Sequence, residues 1–230
     1  MNGGRGPRQL TLDLDHAESY ARDDFLGGPS NAAALTLIDG WPDWPNRIVA
    51  LVGPEGAGKS HLASIWAAQA GARCVSARSL VDTDVPAALA TGALVVEDAA
   101  EAEFDETAMF HLLNLAREEG ASLLLTARTA PAMWAIRTPD LASRLKSVPV
   151  IALAPPDDAL LRAVLVKLFA DRQLAVDEQL IGYVVTRIGR SFADAQAAVL
   201  ALDQEAMRRK RPLTRVLAAE VLRGEPGPHQ

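Results

Sequence analysis

The feature that most constrains this chain is the run Gly53-Pro54-Glu55-Gly56-Ala57-Gly58-Lys59-Ser60, which fills every fixed position of the G-x-x-x-x-G-K-[ST] phosphate-loop pattern. Its surroundings give the match weight. Ile48-Val49-Ala50-Leu51-Val52 reads as a buried strand before it, and Lys59 to about Ala70 reads as a helix after it. In that order, the glycines let backbone N–H groups turn inward around phosphate oxygens. The helix N-terminus adds positive potential, and Lys59 brings a mobile cation to the outer phosphates. Gly53, Gly56, Gly58, Lys59 and Ser60 are therefore the candidate phosphate-binding residues, with Ser60 in line to ligate Mg²⁺. A Gly-rich turn without a ligand is the plain alternative, and the strand-loop-helix context weighs against it.

The next acidic pair, Glu97-Asp98, directly follows Leu94-Val95-Val96, so both carboxylates are expected at the C-terminal end of a buried strand, where open sheets bind ligands. Phosphoryl transfer needs one carboxylate in the Mg²⁺ shell, the part given to Glu97, and another to orient water, the part given to Asp98. Further apolar runs at Arg73-Cys74-Val75, Ala93 to Val96, Ser122 to Thr126 and Val148 to Leu153 alternate with helical or turn-rich stretches. That alternation implies an α/β fold with a mostly parallel sheet covered on both faces. After Ala154-Pro155-Pro156 the strand pattern stops. Helical patterns follow at Ala159 to Asp171, Glu178 to Ile188, Ala193 to Arg209 and Leu213 to Leu222, which reads as a small helical second domain beginning near residue 155.

Composition fits a soluble globular chain: 49% of the 230 residues are hydrophobic and 23% charged. The net charge of −6 argues against a broad electrostatic grip on nucleic acid, so strong direct DNA binding is not expected. Arg208-Arg209-Lys210-Arg211 is a dense basic run, but it ends a helical stretch, where the helix dipole favours cations and water solvates them. The single cysteine, Cys74, excludes an intrachain disulfide and is expected to pack in a strand. The apolar runs are too short to span a membrane and the first residues carry no leader pattern, so a cytoplasmic location is expected. His16, His61, His111 and His229 have no metal-ligand spacing, and His61 is expected on a helix surface. Trp41, Trp44 and Pro45 are expected to pack against the first strand. Before the core, Gln9-Leu10-Thr11-Leu12-Asp13-Leu14 alternates apolar and polar residues, which suits either an edge strand or a peptide that docks in another protein's groove.

Three further segments resemble the DnaA group of AAA+ proteins. Asp24-Phe25-Leu26-Gly27-Gly28-Pro29-Ser30-Asn31 is similar to the segment by which that group encloses adenine and ribose, with Asn31 as the matching polar residue. Asp140-Leu141-Ala142-Ser143-Arg144-Leu145 resembles the box that carries the group's arginine finger, which falls on Arg144. Leu202-Asp203 and Pro212-Leu213-Thr214 follow the pattern of its lid. Within the group the resemblance is nearest to the regulatory inactivators of DnaA, the Hda proteins, in which a short AAA+ module follows a peptide that docks on the DNA polymerase sliding clamp. Gln9, Leu12 and Leu14 match that peptide's anchors.

The resemblance implies residues 1–15 as a flexible segment with the clamp peptide, 16–154 as the nucleotide-binding core, 155–224 as the helical lid and 225–230 as a frayed tail. It implies ADP or ATP with Mg²⁺ as cofactors, and DnaA and the sliding clamp as partners. A second copy of the chain is admitted as a further partner. The implied function is negative regulation of replication initiation, in which Arg144 promotes hydrolysis of DnaA-bound ATP. With the sequence ending soon after the lid, the helix-turn-helix domain of full initiators is not expected. Three positions depart from the group's pattern: Glu97 stands where an aspartate usually holds the metal, Thr126-Ala127-Arg128 stands where an acidic sensor is usual, and Ala193 replaces a nucleotide-sensing arginine, with Arg190 nearby but out of register. These imply weak ATPase activity for the isolated chain. The alternative is an autonomous AAA+ ATPase such as a helicase loader or a DnaA-like initiation factor.

Overall fold

A computed structural model describes residues 21–100 and 104–222. Gln9, Leu12 and Leu14, the expected clamp-peptide anchors, lie outside the described residues, as does the whole of the predicted first and last segments. Five parallel strands form one sheet: β1 (Ile48–Val52), β2 (Arg73–Ser76), β3 (Ala93–Glu97), β4 (Ser122–Ala127) and β5 (Val150–Ala152), in the order β2-β3-β4-β1-β5. Helix α1 (Ala32–Asp39) precedes β1, α2 (Lys59–Ala70) joins β1 to β2, α3 (Val85–Leu89) leads into β3, α4 (Glu106–Glu119) joins β3 to β4, and α5 (Pro139–Lys146) leads into β5.

The central strands are buried on both faces, and their side chains divide by the two-residue period of a strand. Ile48, Ala50, Val52, Leu94, Val96, Leu123 and Leu125 join the cluster that includes Met109, Leu112 and Leu113 of α4. Val49, Leu51, Ala93, Val95 and Leu124 join the cluster that includes Ile38 of α1 and Leu62, Ile65 and Trp66 of α2. Trp44 belongs to this second cluster and stacks on Trp66 at 4.9 Å between ring centres, so the expected packing of the tryptophans is made against α2 as much as against β1; Pro45 is exposed. Cys74 does fall in a strand, but β2 is an edge and Cys74 is exposed rather than packed.

The C-terminal helices are α6 (Asp158–Asp171), α7 (Glu178–Val185), α8 (Phe192–Arg209) and α9 (Arg215–Leu222). Asp157, Asp177 and Ser191 cap the first three: each side-chain oxygen accepts a backbone N–H in the first turn, as the sequence pattern of an acid or serine before an apolar run requires. These helices build their own core from Leu161, Leu165, Phe169, Ile181, Val199 and Leu202, separate from the two clusters on the sheet. The basic run at the end of α8 is not simply solvated. Arg208 and Arg209 both pair with Glu205, and Arg209 also pairs with Glu220 of α9. Together these two guanidinium groups, Arg208 first, lower the Glu205 carboxyl to about 2. No helix among the described residues is long and apolar enough to cross a membrane.

Candidate functional site

Gly53 to Ser60 forms the turn from β1 into α2, at the C-terminal edge of the sheet. The Gly53 N–H donates to the Ala127 carbonyl at 3.1 Å, which ties the start of the loop to the end of β4. Gly56 and Gly58 have φ of 71° and 93°, values that turn the backbone inward and that side chains disfavour. The Lys59 ammonium folds over this loop and donates to the Gly53 and Pro54 carbonyls at 2.8 and 2.9 Å. Ser60 is exposed in the first turn of α2.

Beside the loop, the strand period puts Glu97 on the face of Ala93 and Val95, and Thr126 on the face of Leu124; both faces are covered by α2. Thr126 is 1% exposed, and its hydroxyl accepts the Asp98 N–H at 3.2 Å. Asp98 itself has φ of 54°, a left-handed backbone that aspartate tolerates better than most residues and that ends the alternation of β3. The hard oxygen donors of Ser60 and Glu97 suit Mg²⁺, which keeps most of its shell as water and phosphate oxygen and takes one or two protein ligands. Among the described residues no three His, Cys, Asp or Glu side chains cluster as a closed metal cage.

The loop preceding α1 and the start of α8 close over the phosphate loop from the other side. Phe25 is buried, packs edge-on against His61 at 5.1 Å, and lies 6.5 Å from Phe192. His61 is thus half-buried against an aromatic ring, not on the helix surface, because the segment before α1 folds back over α2. Asn31 is 2% exposed; its side chain accepts the Gly28 N–H at 2.8 Å and donates to the Leu26 carbonyl at 3.0 Å. It therefore staples the 26–31 loop. Gly28 of that loop lies against Leu160 of α6, and the Ser30 carbonyl accepts the Ala154 N–H at 3.0 Å. Nearby, Asp24 pairs with Lys167 of α6 at 2.7 Å, and Asp171 and Asp24 together hold that ammonium above its ordinary value.

Two contacts at the start of α8 escaped the sequence pattern. The Phe192 N–H donates to the Gly56 carbonyl at 2.8 Å, and a Cβ on Gly56 would lie 2.5 Å from the Ser191 Cβ. Helix α8 therefore sits directly on the phosphate loop. Ser191-x-x-Asp194 is legible as a helix cap, and the cap is made, but a cap pattern does not say what the helix end touches. Arg190, out of register, pairs with Asp158 at 3.1 Å.

Arg144 is elsewhere. It lies on α5 with its guanidinium carbon 5.0 Å from the centre of the Phe110 ring of α4. Its carbonyl accepts the Ser147 N–H at 3.1 Å, and the Pro149 carbonyl accepts the Ala50 N–H at 2.9 Å. These bonds set the end of α5 level with the start of β1. The phosphate loop follows the other end of that strand, about 17 Å away at ~3.3 Å per residue. Glu106, at the first position of α4, accepts the backbone N–H of Arg137 and Thr138 at 2.8 Å each and the Thr138 hydroxyl at 2.6 Å, so α4 holds the start of α5.

A five-stranded parallel sheet in this order, with a phosphate loop after β1, next to the edge strand β5, and C-terminal helices of which α8 is seated on that loop, is a known architecture. The chain has the AAA+ fold. Domain III of the replication initiation protein DnaA from Thermotoga maritima is similar to it with a TM-score of 0.73 at 18% identity, over 89% of this chain and 96% of that one. DnaA from Aquifex aeolicus bound to AMPPCP gives 0.66 at 16% identity, over 84% of this chain and 69% of that one. The RuvB Holliday junction branch migration motor of Thermotoga maritima gives 0.66 at 16% identity, over 90% and 72%. No protein-family model matches the chain, and no curated protein matches it in sequence.

Proposed function

We propose that this chain is an adenine-nucleotide-binding regulator of chromosomal replication initiation, which docks on the DNA polymerase sliding clamp and promotes hydrolysis of DnaA-bound ATP through Arg144. Initiation is thereby switched off. The observation that carries the reading is the place of Arg144 on α5, which leads into the start of β5, while the phosphate loop follows the end of β1, at the opposite edge of the parallel sheet. On this reading the guanidinium serves a phosphate on another molecule rather than the chain's own loop. A planar fork of donors supplied in trans can raise phosphoryl-transfer rates by about 10³- to 10⁵-fold.

The chain's own nucleotide, ADP or ATP, serves chiefly as a structural ligand. Lys59 and the loop N–H groups hold its phosphates, Ser60 and Glu97 hold Mg²⁺, and Asp98 is the carboxylate left to orient water. Asn31 acts by keeping the 26–31 loop in shape around the base, because both ends of its amide are already bonded to that loop. Phe192 and Ser191 rest on Gly56, so a nucleotide there bridges core and lid. With Ala193 at the start of α8 and Glu97 at the end of β3, hydrolysis at this site is slow. The clamp contact is assigned to Gln9, Leu12 and Leu14 by resemblance.

The test is the hydrolysis rate of ATP bound to DnaA in the presence of clamp loaded on DNA, with and without this protein. Acceleration is expected, and it should vanish in Arg144→Ala and lose its dependence on clamp in Gln9→Ala. Equal acceleration by Arg144→Ala would remove the trans-arginine mechanism. A second reading, an autonomous ATPase, is favoured by the complete set of Lys59, Ser60 and Asp98 and by the likeness to the RuvB motor. Brisk ATP turnover by this chain alone, with no effect on DnaA, would select it.

A further inference from the structure

Where α7 meets α9, cations gather in a chain whose net charge is −6. The Arg187 guanidinium, just past the end of α7, lies 3.8 Å from the centre of the Tyr183 ring, and that of Arg215, which opens α9, lies 5.4 Å from the same centre. Tyr183 is 8% exposed, so the ring is a fixed plate. Arg187 Nη1 also donates to the Thr186 hydroxyl at 3.0 Å, and that hydroxyl donates to the Tyr183 carbonyl at 2.9 Å. One ring thus orders two guanidinium groups. A guanidinium over an aromatic face keeps N–H groups on its edge free to donate.

Tyr183, Arg187 and Arg215 line a groove of about 850 Å³ together with Val216, Ala219 and Glu220. Its acid is already taken: Glu220 pairs with Arg209 at the end of α8. Arg208 and Arg209 share Glu205 as well, so these two arginines of the basic run are offset by carboxylates of the same helices. The next two residues are not. Lys210 and Arg211 are exposed on the turn from α8 to α9, directly after the arginine that touches the groove. Like Arg187 and Arg215, they have no carboxylate partner among the described residues.

We infer that this surface of the lid binds the phosphate backbone of duplex DNA, with Arg187 and Arg215 as its ordered contacts and Lys210 and Arg211 as its outer ones. A planar fork of donors suits phosphate oxygens, and a repeated phosphate suits several unpaired cations side by side. So few contacts give weak, sequence-independent binding, in keeping with a chain that is acidic as a whole. Tethering makes a weak contact count: a protein docked on a clamp that encircles DNA meets that DNA at high effective concentration. The choice of DNA as the polyanion rests on the regulatory reading above.

The experiment is fluorescence anisotropy of a labelled mixed-sequence duplex titrated with the full chain, from low to physiological salt. Binding is expected at low salt, with log affinity falling against log salt at a slope of about −2 to −4. Arg187→Ala combined with Arg215→Ala should weaken binding at low salt by at least about tenfold and reduce the slope by about 2. Lysine at both positions, which keeps the charges, should keep the slope. Arg47→Ala combined with Arg117→Ala, which removes two exposed cations outside the lid, should change neither. No binding at low salt, or equal loss in the two alanine pairs, overturns the DNA contact. Displacement of the duplex by poly-glutamate at equal charge overturns it in favour of an acidic protein surface. Stimulation of DnaA, measured separately, tests the regulatory reading: its failure beside normal duplex binding sinks that reading and leaves the lid contact standing.

Discussion

At Gly56 two demands meet in one residue. Its φ of 71° disfavours any side chain, and its α-carbon faces Ser191 so closely that a Cβ would stand 2.5 Å from the Ser191 Cβ. Gly71, at the end of α2, has a similar φ of 63° with nothing within 4 Å of a Cβ. Alanine at Gly71 should therefore cost about 1 kcal/mol from the backbone alone, whereas alanine at Gly56 should cost a further ~1–3 kcal/mol as α8 is pushed off the loop. Denaturant unfolding of the two variants checks this, and equal losses would contradict the close seating of α8. Lys59 carries a second residue-scale prediction. Its ammonium donates to the Gly53 and Pro54 carbonyls, so Lys59→Ala should weaken nucleotide binding by at least about tenfold while the sheet, whose core is apolar, stays folded.

Among elements, the clasp between α4 and α5 governs where Arg144 is held. The Arg137 N–H, then the Thr138 hydroxyl and N–H, keep the Glu106 carboxyl below its ordinary value. A carboxyl lowered by folding stabilises the fold above its unfolded value, near 4.5, and that contribution is lost as pH falls through the lower folded value. Glu106→Ala should loosen α5 and reduce the proposed stimulation of DnaA while nucleotide affinity, measured on the same sample, is unchanged. The α8–α9 contact has the same sign: Glu205, lowered to about 2, contributes above pH ~4.5 and fades only as pH falls toward 2, so acid titration of the lid helices by circular dichroism should show a late loss at α8 and α9. The strands and the C-terminal helices are legible in the sequence by their period, whereas the short helices α1 and α3, too brief to show one, are not. Contacts between elements are not legible either. The seating of Ser191 and Phe192 on Gly56 and the pairing of Glu55 with Arg128 join residues more than seventy positions apart, and nothing in local sequence records which distant loop a helix end will meet. His61 was misread for the same reason: its burial comes from Phe25, on a segment outside its own helix.

On the scale of the whole molecule, the sheet and the four C-terminal helices have separate apolar cores, and the seam between them runs through Gly28 with Leu160, Asp24 with Lys167, and Gly56 with Phe192. Because α8 rests on Gly56 of the phosphate loop, a nucleotide bound as proposed would bridge that seam, stabilise the pair of units together and be felt in the unfolding of each. The measurement that tests this most directly is unfolding of the unmodified chain and of Lys59→Ala, each with and without ADP and Mg²⁺. Linkage predicts that ADP at one hundred times its Kd stabilises the unmodified chain by about 2.7 kcal/mol, in a single transition, and leaves Lys59→Ala nearly unmoved. An unmodified chain whose unfolding is indifferent to millimolar ADP and ATP would contradict the claim that this loop holds an adenine nucleotide.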